Sequence, residues 1–281
     1  MPSIAVVTDS TACLTEELVA SSGVRVVPIH VIVDGRTYLD GVDITSDEVA
    51  AALSGGKSVT TSRPTASQFL EAYTEAAGSG AEAILSVHLS ASLSGTYDAA
   101  RLAARDAPVP VEVMDSRTIA MGLGFAALDA ASAAAAGADI ADVAHAARGT
   151  ADAGQVLFYV DTLEFLRRGG RIGKASALLG SALRVKPLLH VVDGEVAPLE
   201  KARTANRALG RLADLAVGAA ADRPVKVAVQ HLDAAERAHA MAARLSEQLH
   251  CEVLICEVGA VMGVHVGPGL VAVAVVPSDP A

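Results

Sequence analysis

Residues 83–106 read AILSVHLSASLSGTYDAARLAARD. A short apolar run gives way to Ser90, Ser92, Ser94 and Thr96, and then to alanine and arginine at helical spacing. Runs of four to eight apolar residues bounded by turn signals read as buried strands, and longer alanine-rich segments of helical period read as helices. The stretch is therefore a strand, a hydroxyl-rich turn and a helix. The same unit recurs: IAVVT at 4–8 and VEVMD at 111–115 are strands, each ahead of a helical segment. Repetition of this kind predicts an α/β fold with a largely parallel sheet flanked by helices.

Working outward, VRVVPIHVIVDGRTYLD at 24–40 holds two extended pieces around Asp34-Gly35, a dipeptide that favours a tight hairpin. Thr45 with Glu48, and Thr65 with Gln68, have capping-box spacing and open helices. Around Gly149 to Gly154 the chain turns polar and glycine-bearing, which sets the expected boundary between an N-terminal α/β domain, 1–152, and a C-terminal α/β domain, 153–281. The second half restarts with QVLFYV at 155–160, and Asp161 with Glu164 is expected to cap the next helix. LLHVVDGEVAPLE at 188–200 turns at Asp193-Gly194, so this half contains antiparallel pairing and a mixed sheet.

The 281 residues suit two domains, each with ample core. Hydrophobic residues make up 52% of the chain, much of it alanine, while aromatics are 3% with no Trp, which disfavours stacking on bases or sugars. A formal net charge of -10 opposes nonspecific binding to nucleic acid or anionic lipid. Cys13, Cys251 and Cys256 are odd in number and contain no C-x-x-C pair, which fits a reducing cytoplasm without structural disulfides. The N-terminus does not resemble a signal peptide, and the alanine-rich stretch at 118–139 is interrupted by Asp129, so no transmembrane segment is expected. His231, His239 and His250 have no metal-site spacing with the cysteines, and nothing resembles a coiled-coil seam, so no metal and a monomer are expected.

Four segments carry candidate chemistry. A helix N-terminus after a strand offers unpaired N–H groups to an anion, and hydroxyls there add donors. In the opening stretch Ser94 precedes Gly95, whose missing Cβ admits a ligand, and Thr96 is placed to cap the helix; an ordinary capped helix explains the same residues. A second hydroxyl cluster, SVTTSRPTASQF at 58–69, places Thr61 and Ser62 before Arg63-Pro64. Both lie at the carboxyl ends of extended segments, the edge where open α/β sheets bind ligands. GVHVGPGLV at 263–271 reads as a rigid loop presenting His265, a donor to an anion and a candidate for positive charge; the alternative is a turn with an incidental histidine. In LEFLRRGGRIGKAS, Gly169 and Gly170 stop a helix that Arg167 and Arg168 end, and Arg171 lies beyond the stop, where the helix dipole does not account for it.

TDST, TTSRP, LSGTY, TLEFLRRGGRIG and HVGPG, in that order between residues 8 and 269, resemble the DegV family of bacterial fatty-acid-binding proteins. The resemblance implies a two-domain DegV-like fold that buries one long-chain fatty acid, such as a C16 to C18 acid, with its carboxylate between the domains. Carriers of the FakB type present that acid to a separate ATP-dependent fatty acid kinase, which makes the acyl phosphate used in phospholipid synthesis. The carrier has no catalytic residue and no cofactor besides its ligand. By motif, Thr61, Ser62, Ser94, Gly95 and His265 hold the carboxylate, and Arg171 supports the partner and phosphoryl transfer. Family members often have Gln where Arg63 stands, so the role of Arg63 is left open. Small residues at 118–136 leave room for the acyl chain, or pack closely on the sheet.

Two rival classes were weighed. A nucleotide-binding enzyme is favoured only by Gly122, Gly124 and Ala127, inside a helical segment, and by a P-loop-like RGGRIGKAS with Arg168 at the first glycine position and Ala175 at the hydroxyl position. A serine-dependent esterase would pair Ser94 and His265 with Asp9 or Asp115, but the chain has no G-x-S-x-G elbow.

Overall fold

A computed structural model describes residues 3–178 and 185–278. The first part runs β1 (Ile4–Asp9), α1 (Glu16–Ser22), β2 (Arg25–Val27), β3 (His30–Val33), β4 (Arg36–Leu39), α2 (Ser46–Ser54), β5 (Val59–Ser62), α3 (Ala66–Gly78), β6 (Ala83–His88), α4 (Thr96–Ala103), β7 (Val111–Asp115), α5 (Met121–Ala135) and α6 (Ile140–Ala153). Gly154 alone joins α6 to β8 (Gln155–Tyr159), followed by α7 (Glu164–Arg168), β9 (Lys186–Val192), β10 (Glu195–Ala202), α8 (Ala205–Ala220), β11 (Val225–His231), α9 (Ala235–Leu249), β12 (Val253–Glu257), α10 (Ala260–Val266) and β13 (Val271–Pro277).

Three sheets result. A four-stranded parallel sheet has the order β2-β1-β6-β7. Its strands bury apolar side chains on both faces, as helices on both sides require. Val6, Leu85 and Val87 pack on Ala126, Ala130 and Ala147 of α5 and α6, while Val7 and Ile84 pack on Phe69 and Tyr73 of α3 and Ala100 of α4. A three-stranded antiparallel sheet, β4-β3-β5, is formed by the hairpin at Asp34-Gly35 and by β5. Asp34 and Gly35 both have positive φ, 49° and 85°, as the tight turn demands.

The third sheet is mixed, with order β10-β9-β8-β13-β11-β12; only β11 and β12 are parallel. Alternation along its strands separates two cores. Leu157, Tyr159, Val227, Val229 and Val273 face α8 and α9. Val156, Phe158, Ala228, Ala272 and Ala274 face the other way, towards α5 and α10. Ala228, Ala272 and Ala274 are the smallest residues of this inner face, among larger ones such as Phe158, Leu189 and Val196.

The capping boxes at Thr45–Glu48 and Thr65–Gln68 both form. Asp161 does not cap α7. The N-cap is Leu163, Thr162 accepts from the Glu164 N–H at 3.2 Å, and Asp161 accepts from Lys186 Nζ at 2.8 Å, from Arg237 and from the Tyr159 hydroxyl. Two cations outcompete a single backbone donor for that carboxylate. Among the described residues no helix is long and apolar enough to cross a membrane.

Candidate functional site

The site begins with Asp9 at the end of β1. Its carboxylate is fully buried and accepts from the Thr11 N–H at 3.1 Å, the Thr11 hydroxyl at 2.6 Å, the Leu89 N–H at 3.1 Å and His88 Nδ1 at 3.0 Å. His88 Nε2 continues to Ser86 at 2.7 Å, and Ser86 to the Tyr73 hydroxyl at 2.8 Å. A buried charge persists only when its lone pairs are filled in this way. The chain of bonds ties the carboxyl ends of β1 and β6 together and fixes where the serine-rich turn leaves the sheet.

Along that turn the serines divide their work. Ser90 donates to the carbonyl of Gly194 at 2.7 Å, joining the turn to the β9–β10 hairpin. Ser94 contacts the Thr96 hydroxyl at 2.9 Å and accepts from the Thr96 N–H at 3.3 Å. Thr96 is therefore not the cap: α4 starts from Gly95 with no side-chain cap. β5 brings Thr61 in from the small sheet. Its hydroxyl lies 2.9 Å from Nε2 of His265, which is 204 residues away in the chain. Ser62, one residue on, is exposed and faces His30 Nδ1 at 3.3 Å.

His265 stands on the last turn of α10, not on a loop; Gly267, with φ 72°, ends that helix. The His265 Nδ1 atom is buried without a partner. The ring packs against Gly169, where a Cβ would fall 2.2 Å from Nδ1. Burial, and secondly the guanidinium of Arg171, push the imidazole down to about 4. The ring is thus neutral at physiological pH, against its candidacy for positive charge. Arg171 donates from Nε to the Leu93 carbonyl at 2.9 Å and from Nη1 to the Gly169 carbonyl at 2.7 Å, strapping the serine turn to the end of α7.

These pieces close one end of a cavity that encloses about 860 Å³ with its open mouth included. Thr61, Ser62, Arg63, Ser94, Arg171 and His265 line the polar end. Val156, Phe158, Val196, Val266, Leu270 and Ala272 are among the apolar walls. Among the described residues the lining contains two arginines and no carboxylate, in a chain of net charge -10. Gly95 is not part of the wall; it lies beneath the Arg63 side chain. The small residues of α5 do not form the wall either, which there consists of Ile119 and Ala120. A Cβ on Gly122 would meet Thr118 and Val156 at 2.5 and 2.7 Å, and one on Gly124 would meet the Ala12 carbonyl at 2.5 Å, so close packing accounts for them.

The acids considered for an esterase are committed elsewhere: Asp9 to Thr11, Leu89 and His88, and Asp115 to the N–H groups of Ala91 and Arg117 at 3.1 and 2.9 Å. The His88 link was not foreseen. Its only signal was a histidine inside an otherwise apolar strand, matched by an aspartate at the end of the first.

Fold and pocket together define a class: an α/β protein of one parallel and one mixed sheet, with an apolar cavity closed at one end by hydroxyls and guanidiniums. A family model described as "Uncharacterised protein, DegV family" matches residues 3–278. A DegV domain-containing protein of Streptomyces coelicolor is 49% identical over 274 residues, 97% of this chain and 98% of that one. The chain belongs to the DegV family. Among solved structures, a Thermus thermophilus DegV family protein whose structure is described as showing fatty acid binding superposes with a TM-score of 0.93 at 34% identity, covering 99% of this chain and 100% of that one. A Bacillus subtilis DegV described as a fatty acid binding protein gives 0.91 at 31% identity, with the same coverage.

Proposed function

We propose that this protein binds one long-chain fatty acid, its tail in the cavity and its carboxylate towards Thr61, Ser62, Ser94 and His265, at the junction of the segments 1–152 and 153–281. The observation that carries the reading is the polarity of the cavity: apolar walls that end in hydroxyls, a neutral imidazole and two guanidiniums, with no acidic residue among the described lining residues. The descriptions of the Thermus and Bacillus relatives support the ligand class.

Magnitudes favour it. A C16 acid buries about 15 methylenes at roughly 0.8 kcal/mol each, on the order of 12 kcal/mol gross, against an association cost of about 4–15 kcal/mol. A buried carboxylate left without donors would cancel several kcal/mol of that gain, and the hydroxyls supply compact donors that need no charge of their own. The tail drives binding and the hydroxyls orient the head.

The carrier performs no chemistry. In the cytoplasm it presents the acid to a separate ATP-dependent kinase that forms the acyl phosphate, and Arg171, at the polar end, steadies the negative charge that gathers on the head group during transfer. An esterase is disfavoured because His265 Nε2 faces Thr61 and the Ser94 hydroxyl faces Thr96. Native mass spectrometry of the purified protein, before and after solvent extraction, tests the reading: one mass increment matching a C16 to C18 acid is expected, restored by adding palmitate to extracted protein. Absence of any retained lipid together with failure to take up palmitate would overturn it. Turnover of p-nitrophenyl palmitate that Ser94→Ala abolishes would establish the esterase instead.

A further inference from the structure

Arg63 follows β5 directly and, of the two cations among the described lining residues, is the one that forms no hydrogen bond or ion pair with any described residue. Its exposed side chain lies between two spaces: the polar end of the cavity on one side, and on the other a surface cleft bounded by Thr65, Asp98, Arg101 and Arg105. The guanidinium rests on the backbone of Gly95. A Cβ there would be 2.4 Å from Nη1, 3.0 Å from Cδ and 3.3 Å from Cζ, so the side chain lies flat only because residue 95 has none. Arg171, the other cation in the lining, already directs Nε and Nη1 to the carbonyls of Leu93 and Gly169.

Building on the fatty-acid reading above, we infer that Arg63 is a specificity-determining residue whose guanidinium pairs with the ligand's ionised carboxylate, so that the cavity selects acids over neutral lipids of equal chain length. The hydroxyls and the imidazole do not make that distinction, and Arg171 spends its Nε and Nη1 on carbonyls. A hydroxyl donates as readily to an ester carbonyl as to a carboxylate and accepts from an alcohol, and a neutral imidazole both donates and accepts. A guanidinium only donates and always carries charge, so it favours the anion. Seated on Gly95 and making no other bond, the guanidinium is free to meet an incoming head group where it lies.

The test compares palmitate with hexadecanol and methyl palmitate, by displacement of a fluorescent fatty-acid probe, on the wild type, Arg63→Gln, Arg63→Lys and Gly95→Ala. Arg63→Gln should weaken palmitate by about 5- to 30-fold, the range for a charged hydrogen bond partly exposed to water, and change the two neutral lipids by less than about twofold. Arg63→Lys should retain part of the preference. Gly95→Ala keeps the charge but lifts the guanidinium, and should also weaken palmitate selectively; at φ -76° the backbone accepts alanine, and urea midpoints check that all three variants stay folded. An equal loss for acid and neutral lipids, or palmitate affinity unchanged in Arg63→Gln, overturns the inference and leaves the carrier reading standing. A wild type that binds none of the lipids overturns both.

Discussion

His265 gives the site a pH dependence that can be worked through from its surroundings. In the folded protein its imidazole titrates near 4, against 6.5 for an unperturbed ring, chiefly because the ring is buried and secondly because Arg171 is close. Between those values the unfolded chain binds a proton that the folded chain does not, so stability falls as pH drops through the window. The full gap is worth about 3.4 kcal/mol, and about 2 kcal/mol of it is lost on going from pH 7.5 to pH 5. Asp40 acts in the opposite sense. Burial raises it from 3.8 to about 6, so the folded chain holds the proton there and stability rises as pH drops, by about 1.4 kcal/mol over the same interval. From this pair the wild type should change by less than about 1 kcal/mol.

Single substitutions expose each half of that cancellation. Urea unfolding of His265→Gln should show the variant gaining about 2 kcal/mol on the wild type between pH 7.5 and pH 5, while Asp40→Asn loses about 1.4 kcal/mol on it. Saturating palmitate places a carboxylate beside the ring and raises its pKa, so ligand should flatten the difference between wild type and His265→Gln. Parallel stability curves for wild type and His265→Gln across this range would refute the claim that the folded imidazole is neutral and strongly desolvated.

Ser94→Ala removes a hydroxyl from the polar end of the cavity and should weaken palmitate by about 1–3 kcal/mol in the same displacement assay, with unchanged affinity counting against a head-group role. Gly267→Ala should lower stability by about 2–4 kcal/mol in thermal melts: Gly267 has φ 72° and ψ 170°, and a Cβ would fall 2.1 Å from the Phe165 ring. Asp9→Ala strips the acceptor from two N–H groups, one hydroxyl and His88, and should cost at least about 4 kcal/mol in urea unfolding; a loss under 1 kcal/mol would mean that the buried network is not what fixes the serine turn.

What could be read from the sequence was whatever local interactions decide. The hairpins at Asp34-Gly35 and Asp193-Gly194, with both residues of each pair at positive φ, follow from turn chemistry alone. The Thr45 and Thr65 capping boxes follow from a spacing of three. Thr61, Ser94, Arg171 and His265, reached through motif resemblance, do line one cavity. Readings failed where distant residues decide. Asp161 looked like a cap until Lys186 and Arg237, far along the chain, claimed its carboxylate. His265 was a candidate for charge because nothing in GVHVGPG announces burial against Gly169 or the nearness of Arg171. The small residues of α5 left space or close packing open, and the Ala12 carbonyl and Val156 decide for packing at Gly124 and Gly122.

The same division bears on how the site works. Its polar end is assembled from separately built pieces: the serine turn held by Asp9 and His88, Thr61 on the small sheet, and His265 on α10. No local segment contains more than one or two of the head-group donors, so their geometry depends on all three pieces being seated. The apolar walls come mostly from one face of the mixed sheet and from α10. On the proposed reading, affinity resides chiefly in the walls and discrimination in the assembled end. On the same reading, Ala272 in the wall helps leave room for a tail, and hydroxyls and guanidiniums at one end of a lining with no acid among the described residues give that tail a direction.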